Sequence, residues 1–308
     1  MTVHGLYSVV LNDTADITLG GIESLNIRSQ VEHVAEATSG EIYPRHQSIN
    51  AIKPVADFSS YCLADCLTAI PLVGKSISAM ATGLDLYAYA HVHGGGRAGA
   101  SLHRKYTIAD GMIIPTKISC DHRGDAIISY NVLSTWDGTN APVIETDLQS
   151  VPTAGDDDER FTIGKCTLGS VVIADIRNWE LDFGISATTE GADSDIYDTH
   201  VSIVECKPVL TLKGIDIEWL KAAAIPLVGK AATHATTTVY LRKRLQTAAG
   251  YVADATAQHI KMTMEGLAWI EDVFSSRGKG PTECSLKLAM RYDGTNAPIV
   301  ITVASAIT

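Results

Sequence analysis

With 308 residues the chain exceeds what one hydrophobic core usually fills, so about two ordinary domains are expected, and 46% hydrophobic against 19% charged residues excludes wholesale disorder. A formal net charge of -11 argues against a general nucleic-acid coat, which needs clustered Lys and Arg to displace phosphate counterions. No apolar run reaches the ~20 residues of a membrane span, and the start, MTVHGLYSVVLNDTADITLGG, lacks the basic and apolar regions of a signal peptide.

Taken in chain order, short alternating segments bounded by Gly, Pro, Asn or Asp predict strands at residues 6–11, 22–27, 49–55, 84–93, 112–119 and 125–133. A helix is expected between the third and fourth, running through YCLADCLTAI with Ser59 or Ser60 as its cap and Pro-Leu-Val-Gly as its stop. Cys62 and Cys66 fall on one face of that helix, where packing is their expected role. The six cysteines form no CxxC pair and no metal-ligand spacing, so reduced thiols are expected. The run Asp-Gly-Thr-Asn-Ala-Pro reads as a hairpin turn that sets the register of the following strand.

The chain then repeats itself. AIPLVGK occurs at residues 69–75 and again at 224–230, and DGTNAP at 137–142 and again at 293–298. Ile42-Tyr43, His46, Ser48-Ile49 and Lys53-Pro54-Val55 match Ile196-Tyr197, His200, Ser202-Ile203 and Lys207-Pro208-Val209; Gly111 matches Gly266, and Arg123-Gly124 matches Arg277-Gly278. A second helix is expected over IEWLKAAAI, capped by Asp216. The Pro-, Gly- and Asp-containing stretch SVPTAGDDDER reads as a solvated connector. The expectation is a mainly β chain of two tandem homologous β-sandwich or barrel domains, 1–152 and 153–308, each with one short α-helix.

Candidate chemistry is thin. Gly74-Lys75-Ser76 invites a phosphate-loop reading, but Ala69 stands where the earlier glycine belongs and the second occurrence is Gly229-Lys230-Ala231. The glycine-rich stretch 94–99 joins two strand-like segments rather than a strand to a helix, so it reads as a loop and not a dinucleotide fingerprint. His91, His93 and His103 have a spacing that zinc would accept, yet the counterpart of His91 lies near Arg244 and no carboxylate support is evident. With no GxSxG and no HExxH, neither an enzyme nor a cofactor is expected. The basic residues Arg97, Arg104 and Lys105, with Arg242, Lys243 and Arg244 in the second half, are the candidate inter-subunit or inter-ring contacts.

The Lys-Pro strand that leads into a helix with a Pro-Leu-Val-Gly stop occurs twice. In the first half it is followed by Asp110-Gly111-Met112-Ile113-Ile114-Pro115, Arg123-Gly124-Asp125-Ala126 and DGTNAP; Glu265-Gly266-Leu267-Ala268-Trp269 follows that pattern more loosely in the second half. On these residues the chain resembles the tail tube (major tail) proteins of long-tailed bacteriophages, in the branch where two tube domains are fused. The resemblance implies homotrimers forming pseudo-hexameric rings that stack into a hollow tube, with DNA passing through without specific binding. It also implies other tail proteins (tape measure, terminator, baseplate or sheath) as partners, and a virion tail location after synthesis in the host cytoplasm. The alternatives are a ring-shaped DNA sliding clamp, which would need basic helices facing the hole, and a capsid or decoration protein.

Overall fold

The computed structural model describes residues 2–92, 102–155, 159–192, 195–214, 231–246, 249–275 and 283–308. In the N-terminal half, β1 (Thr2–Asn12), β2 (Asp16–Leu19), β3 (Ile22–Arg28), β4 (Val31–Glu36), β5 (His46–Ile52) and β6 (Val55–Ser60) precede α1 (Leu63–Ala69). After it come β7 (Lys75–Ser76), β8 (Gly83–Val92), β9 (His103–Ile108), β10 (Asp110–Asp121), β11 (Ile127–Thr135) and β12 (Ile144–Gln149). The C-terminal half carries β13 (Phe161–Leu168), β14 (Val171–Ile173), β15 (Ile176–Asp182), β16 (Ile185–Glu190), β17 (His200–Cys206) and β18 (Val209–Gly214). Its last strands are β19 (Ala231–Lys243), β20 (His259–Ser275), β21 (Glu283–Met290) and β22 (Ile299–Ser305). The chain is mainly β, as its alternating segments predict.

Two large antiparallel sheets carry the fold: a 5-stranded one ordered β12-β9-β8-β1-β2, and a 13-stranded one whose main path is β14-β13-β19-β20-β21-β18-β15-β10-β11-β6-β3. Buried side chains of both, among them Leu11, Leu84 and Ile108 from the first and Phe58, Ile118 and Tyr130 from the second, belong to one apolar core, so the sheets face each other as a sandwich. Strict alternation makes this possible: β11 buries every second residue from Ile128 to Ser134. Leu63 and Cys66 of α1 are buried in the same core.

The pairing order recurs along the chain. β1 pairs with β2 and β8, and β13 with β14 and β19; β6 lies between β3 and β11, and β18 between β15 and β21. β9 is flanked by β8 and β12, as the start of β20 is by β19 and β22. Irregularities recur too. The break between Ile22 and Ser24 against β6 has its counterpart between Ile176 and Asn178 against β18, and that between Pro115 and Lys117 against β11 has one between Ile270 and Asp272 against β21. Gly111 lies at the start of β10, where the chain passes from the 5-stranded to the 13-stranded sheet, and Gly266 lies within β20, where its partner changes from β22 to β21. A Cβ there would meet the Leu133 carbonyl oxygen at 2.0 Å and the Ala289 carbonyl oxygen at 2.1 Å, so only glycine lets the strands approach.

Three local expectations are corrected. Residues 49–55 do not form one strand: Lys53-Pro54 separates β5 from β6, because proline has no N–H for a ladder, and β5 pairs with β4 as a separate two-stranded arm. The cap residue of α1 is Cys62, with no side-chain cap; Ser60 belongs to β6, and its hydroxyl accepts a 3.0 Å bond from the Cys62 N–H. The Asp-Gly-Thr-Asn-Ala-Pro turns close no hairpin. The strand after each turn does not pair with the one before it: β12 pairs with β9 and β22 with the start of β20. The second helix over IEWLKAAAI, the second AIPLVGK, the glycine stretch 94–99, His93, Arg97 and Arg277-Gly278 lie outside the described residues.

Candidate functional site

The most extensive contact between the halves is a strand pairing. β10 and β15 run antiparallel with Lys117 opposite Asp182, Ile118 opposite Leu181, Ser119 opposite Glu180, Cys120 opposite Trp179 and Asp121 opposite Asn178. The Phe183 N–H donates to the Thr116 carbonyl at 3.0 Å and the His122 N–H to the Arg177 carbonyl at 2.6 Å. Trp179, Leu181 and Ile118 are fully buried beneath the seam. Above it, Lys117 lies 3.3 Å from a Glu180 carboxylate oxygen and the Asn178 amide donates to Asp121 at 2.5 Å.

The arm of β16 and β17 reinforces the seam. Its tip reaches the N-terminal half, where the Ile52 N–H donates to the Ile196 carbonyl at 2.7 Å and the Trp136 N–H to the Asp198 carbonyl at 2.8 Å. Lys53 lies 3.2 Å from Glu32 and 3.7 Å from Asp198, and the bond to Glu32, then the field of Asp198, raise its pKa. Among the described residues, β3 ends the sheet with β6 as its sole strand partner, and no strand pairs with the outer side of β20 beyond Trp269. On the arm of β4 and β5, Ile42 is 89% and Tyr43 81% exposed.

No protein-family model matches the chain, and no curated protein matches it.

The described candidate basic residues are engaged within the chain. Arg104 on β9 lies 2.6 Å from Glu145 and 3.3 Å from Asp147, and Lys105 lies 3.3 Å from the buried Asp85. Arg242 reaches Asp254 at 2.9 Å and stacks on Tyr251, while Lys243 pairs with Glu159. Arg244 crosses between the halves: it lies 2.7 Å from Asp125 and donates to the carbonyls of Arg123 and Gly124 at 2.7 and 2.9 Å. Arg104 and Lys105 sit on β9 and Arg242 and Lys243 on β19, which takes the place of β8, so these positions are not counterparts.

Two buried histidines take matching places; sequence spacing marks His103 only as a possible zinc ligand and does not mark His259. His103 Nδ1 accepts the Ala90 N–H at 3.0 Å, and His259 Nδ1 accepts the Lys243 N–H at 3.1 Å, each ring bonding the backbone at the neighbouring strand. Their spacing equals that of the two DGTNAP runs, which is the signal that would have found them. A ring nitrogen that accepts a backbone N–H is filled, so His103 is a structural group at this atom. Among the described residues no cluster of three or more His, Cys, Asp or Glu is placed to hold a metal. Burial pushes the thiols of Cys66 and Cys166 up to about 12 and that of Cys120 to about 11, which keeps them neutral packing groups.

Both DGTNAP turns are built alike. Asp137 Oδ1 accepts the N–H groups of Thr139 and Asn140 at 2.8 and 2.6 Å, and Asp293 Oδ1 those of Thr295 and Asn296 at 2.7 and 2.6 Å. Gly138 and Gly294 supply the positive φ, 88° and 96°. These donors hold the Asp137 carboxyl below its ordinary range and lower that of Asp293 to about 2. A cavity of about 410 Å³ lies between β1, the β2–β3 turn and the connector, lined in part by Tyr7, Tyr61, Tyr89, Pro152 and Arg160. No helix among the described residues is long and apolar enough to cross a membrane.

Proposed function

We propose that the chain is a structural phage tail tube protein, built of two homologous tube domains, whose trimers form pseudo-hexameric rings that stack into a hollow tube conducting DNA. The observation that carries this reading is the head-to-tail seam: one half offers β15 to β10 of the other, and among the described residues no strand pairs with the matching edges of β3 and β20. A heterologous contact of this kind propagates until rotation closes it into a ring. Open sheet edges are a liability for a protein that works alone and are used up by assembly. The net charge of -11 suits a lumen through which DNA slides without adhering.

Negative-stain microscopy of purified, concentrated protein tests the proposal. Hollow filaments of stacked rings are the expected result; isolated rings would favour a clamp, and compact particles with neither ring nor filament would favour a capsid or decoration protein. For inter-ring contact, Arg104 is the accessible candidate, because Lys105 is committed to the buried Asp85. Arg104→Glu is expected to shorten filaments while leaving rings intact, and unchanged filaments would remove it from the interface.

A further inference from the structure

We propose that the outer edge of β3 pairs with the outer edge of β20 on a second copy of this chain, in the register that β15 and β10 use within the chain, with Arg28 opposite Asp272. This inference rests on the ring reading above and names its interface.

The register follows from the recurring irregularities. Ile22 and Ser24 flank the break in β3 as Ile176 and Asn178 flank that in β15, and from there Arg28 opposite Val55 corresponds to Asp182 opposite Val209. Past the break in β10, Lys117 faces Ser129; past the one in β20, Asp272 faces Ser285. Lys117 opposite Asp182 inside the chain therefore translates into Asp272 opposite Arg28 between chains. The charges exchange sides and stay complementary. Both Arg28 and Asp272 are exposed.

Burial points the same way. Trp179 and Leu181, which the internal seam covers, are fully buried, whereas their counterparts Leu25 and Ile27 on the open edge are only half-buried. The arms agree as well. Ile196 is 44% exposed and Tyr197 half-buried where their arm rests on the other half, while Ile42 and Tyr43, in the matching positions, stand 89% and 81% exposed. Trp136, which receives the arm, has its counterpart in Tyr292, 61% exposed beside the second DGTNAP turn. A second copy brings the β4–β5 arm onto Tyr292 in the same movement that joins β3 to β20.

The hydrogen-bond phase of the seam supplies a direct test. Thr116 with Phe183, and His122 with Arg177, are hydrogen-bonded pairs. Antiparallel pairs alternate, so Lys117 with Asp182 is a non-hydrogen-bonded pair, and Arg28 with Asp272 inherits that status. Such pairs hold their Cα atoms about 4.5 Å apart, within disulfide reach. In a Cys206→Ser background, which removes the exposed native thiol, the R28C/D272C protein is oxidised with diamide and run on a non-reducing gel. Covalent dimers and larger species that dithiothreitol collapses are expected, with none from either single variant. As a second measurement, D272R weakens self-association by at least about tenfold through like-charge apposition, and R28D/D272R restores it. Filaments that form without cross-linking would overturn this register and leave the ring reading standing. A protein that stays monomeric at every concentration and cross-links to nothing would overturn both.

Discussion

Three glycine substitutions, at Gly40 between β4 and β5, Gly111 in β10 and Gly266 in β20, separate backbone strain from strand crowding. Gly40 has φ +90 with open space around it; Gly266 has a carbonyl oxygen 2.1 Å from where a Cβ would sit; Gly111 combines φ +130 with a carbonyl oxygen at 2.0 Å. Alanine at Gly40 costs about 1–2 kcal/mol, the price of left-handed backbone for an L-residue. At Gly266 the strands must separate, an overpacking cost of about 1–3 kcal/mol. Gly111→Ala carries both and is expected to lose about 2–5 kcal/mol. At roughly 2 °C per kcal/mol for a chain of this size, scanning calorimetry resolves the series as falls in Tm of about 2–4, 2–6 and 4–10 °C. If Gly111→Ala melted no lower than Gly40→Ala, the close approach of β10 to β11 that defines the sheet passage would be wrong.

Trp179→Ala empties a fully buried site at the seam and is expected to cost about 3–5 kcal/mol, measured by urea unfolding. His259→Ala orphans the Lys243 N–H for about 1–3 kcal/mol, and His259→Asn, which can offer an acceptor, recovers part of it. For Asp293 the folded pKa of about 2 lies below the unfolded value. Its stabilisation is therefore complete above about pH 4 and lost as pH falls through 2. Asp293→Ala should flatten that part of the stability profile between pH 4 and pH 2, and an unchanged slope would show that the turn donors are not engaged.

The strands of β10 and β11 announce themselves because apolar residues alternate at the period of a pleat facing one core. The Lys53-Pro54 break was visible as residues yet read as strand interior, because alternation continues across it and only the pairing reveals that β5 has left for an arm. Local chemistry at Asp137 and Asp293 fixes the turn but says nothing about which sheet the departing strand joins; that depends on contacts with β9 and the start of β20, distant in sequence. The seam was illegible for the same reason. Nothing in β10 or β15 taken alone distinguishes an edge that pairs within the chain from one that pairs outside it. Clustering along the chain marks the basic residues, and it cannot report that Arg244 is held by Asp125 and two carbonyls of the other half.

The most direct test is the shape and mass of the assembled particle. End-on class averages of filaments, with native mass spectrometry of released rings, should show six lobes of two alternating kinds around a central hole and a mass of three chains of 32.8 kDa each. A closed monomer with no hole, or a ring whose lobe number is not twice its chain number, would contradict the seam as the unit of assembly.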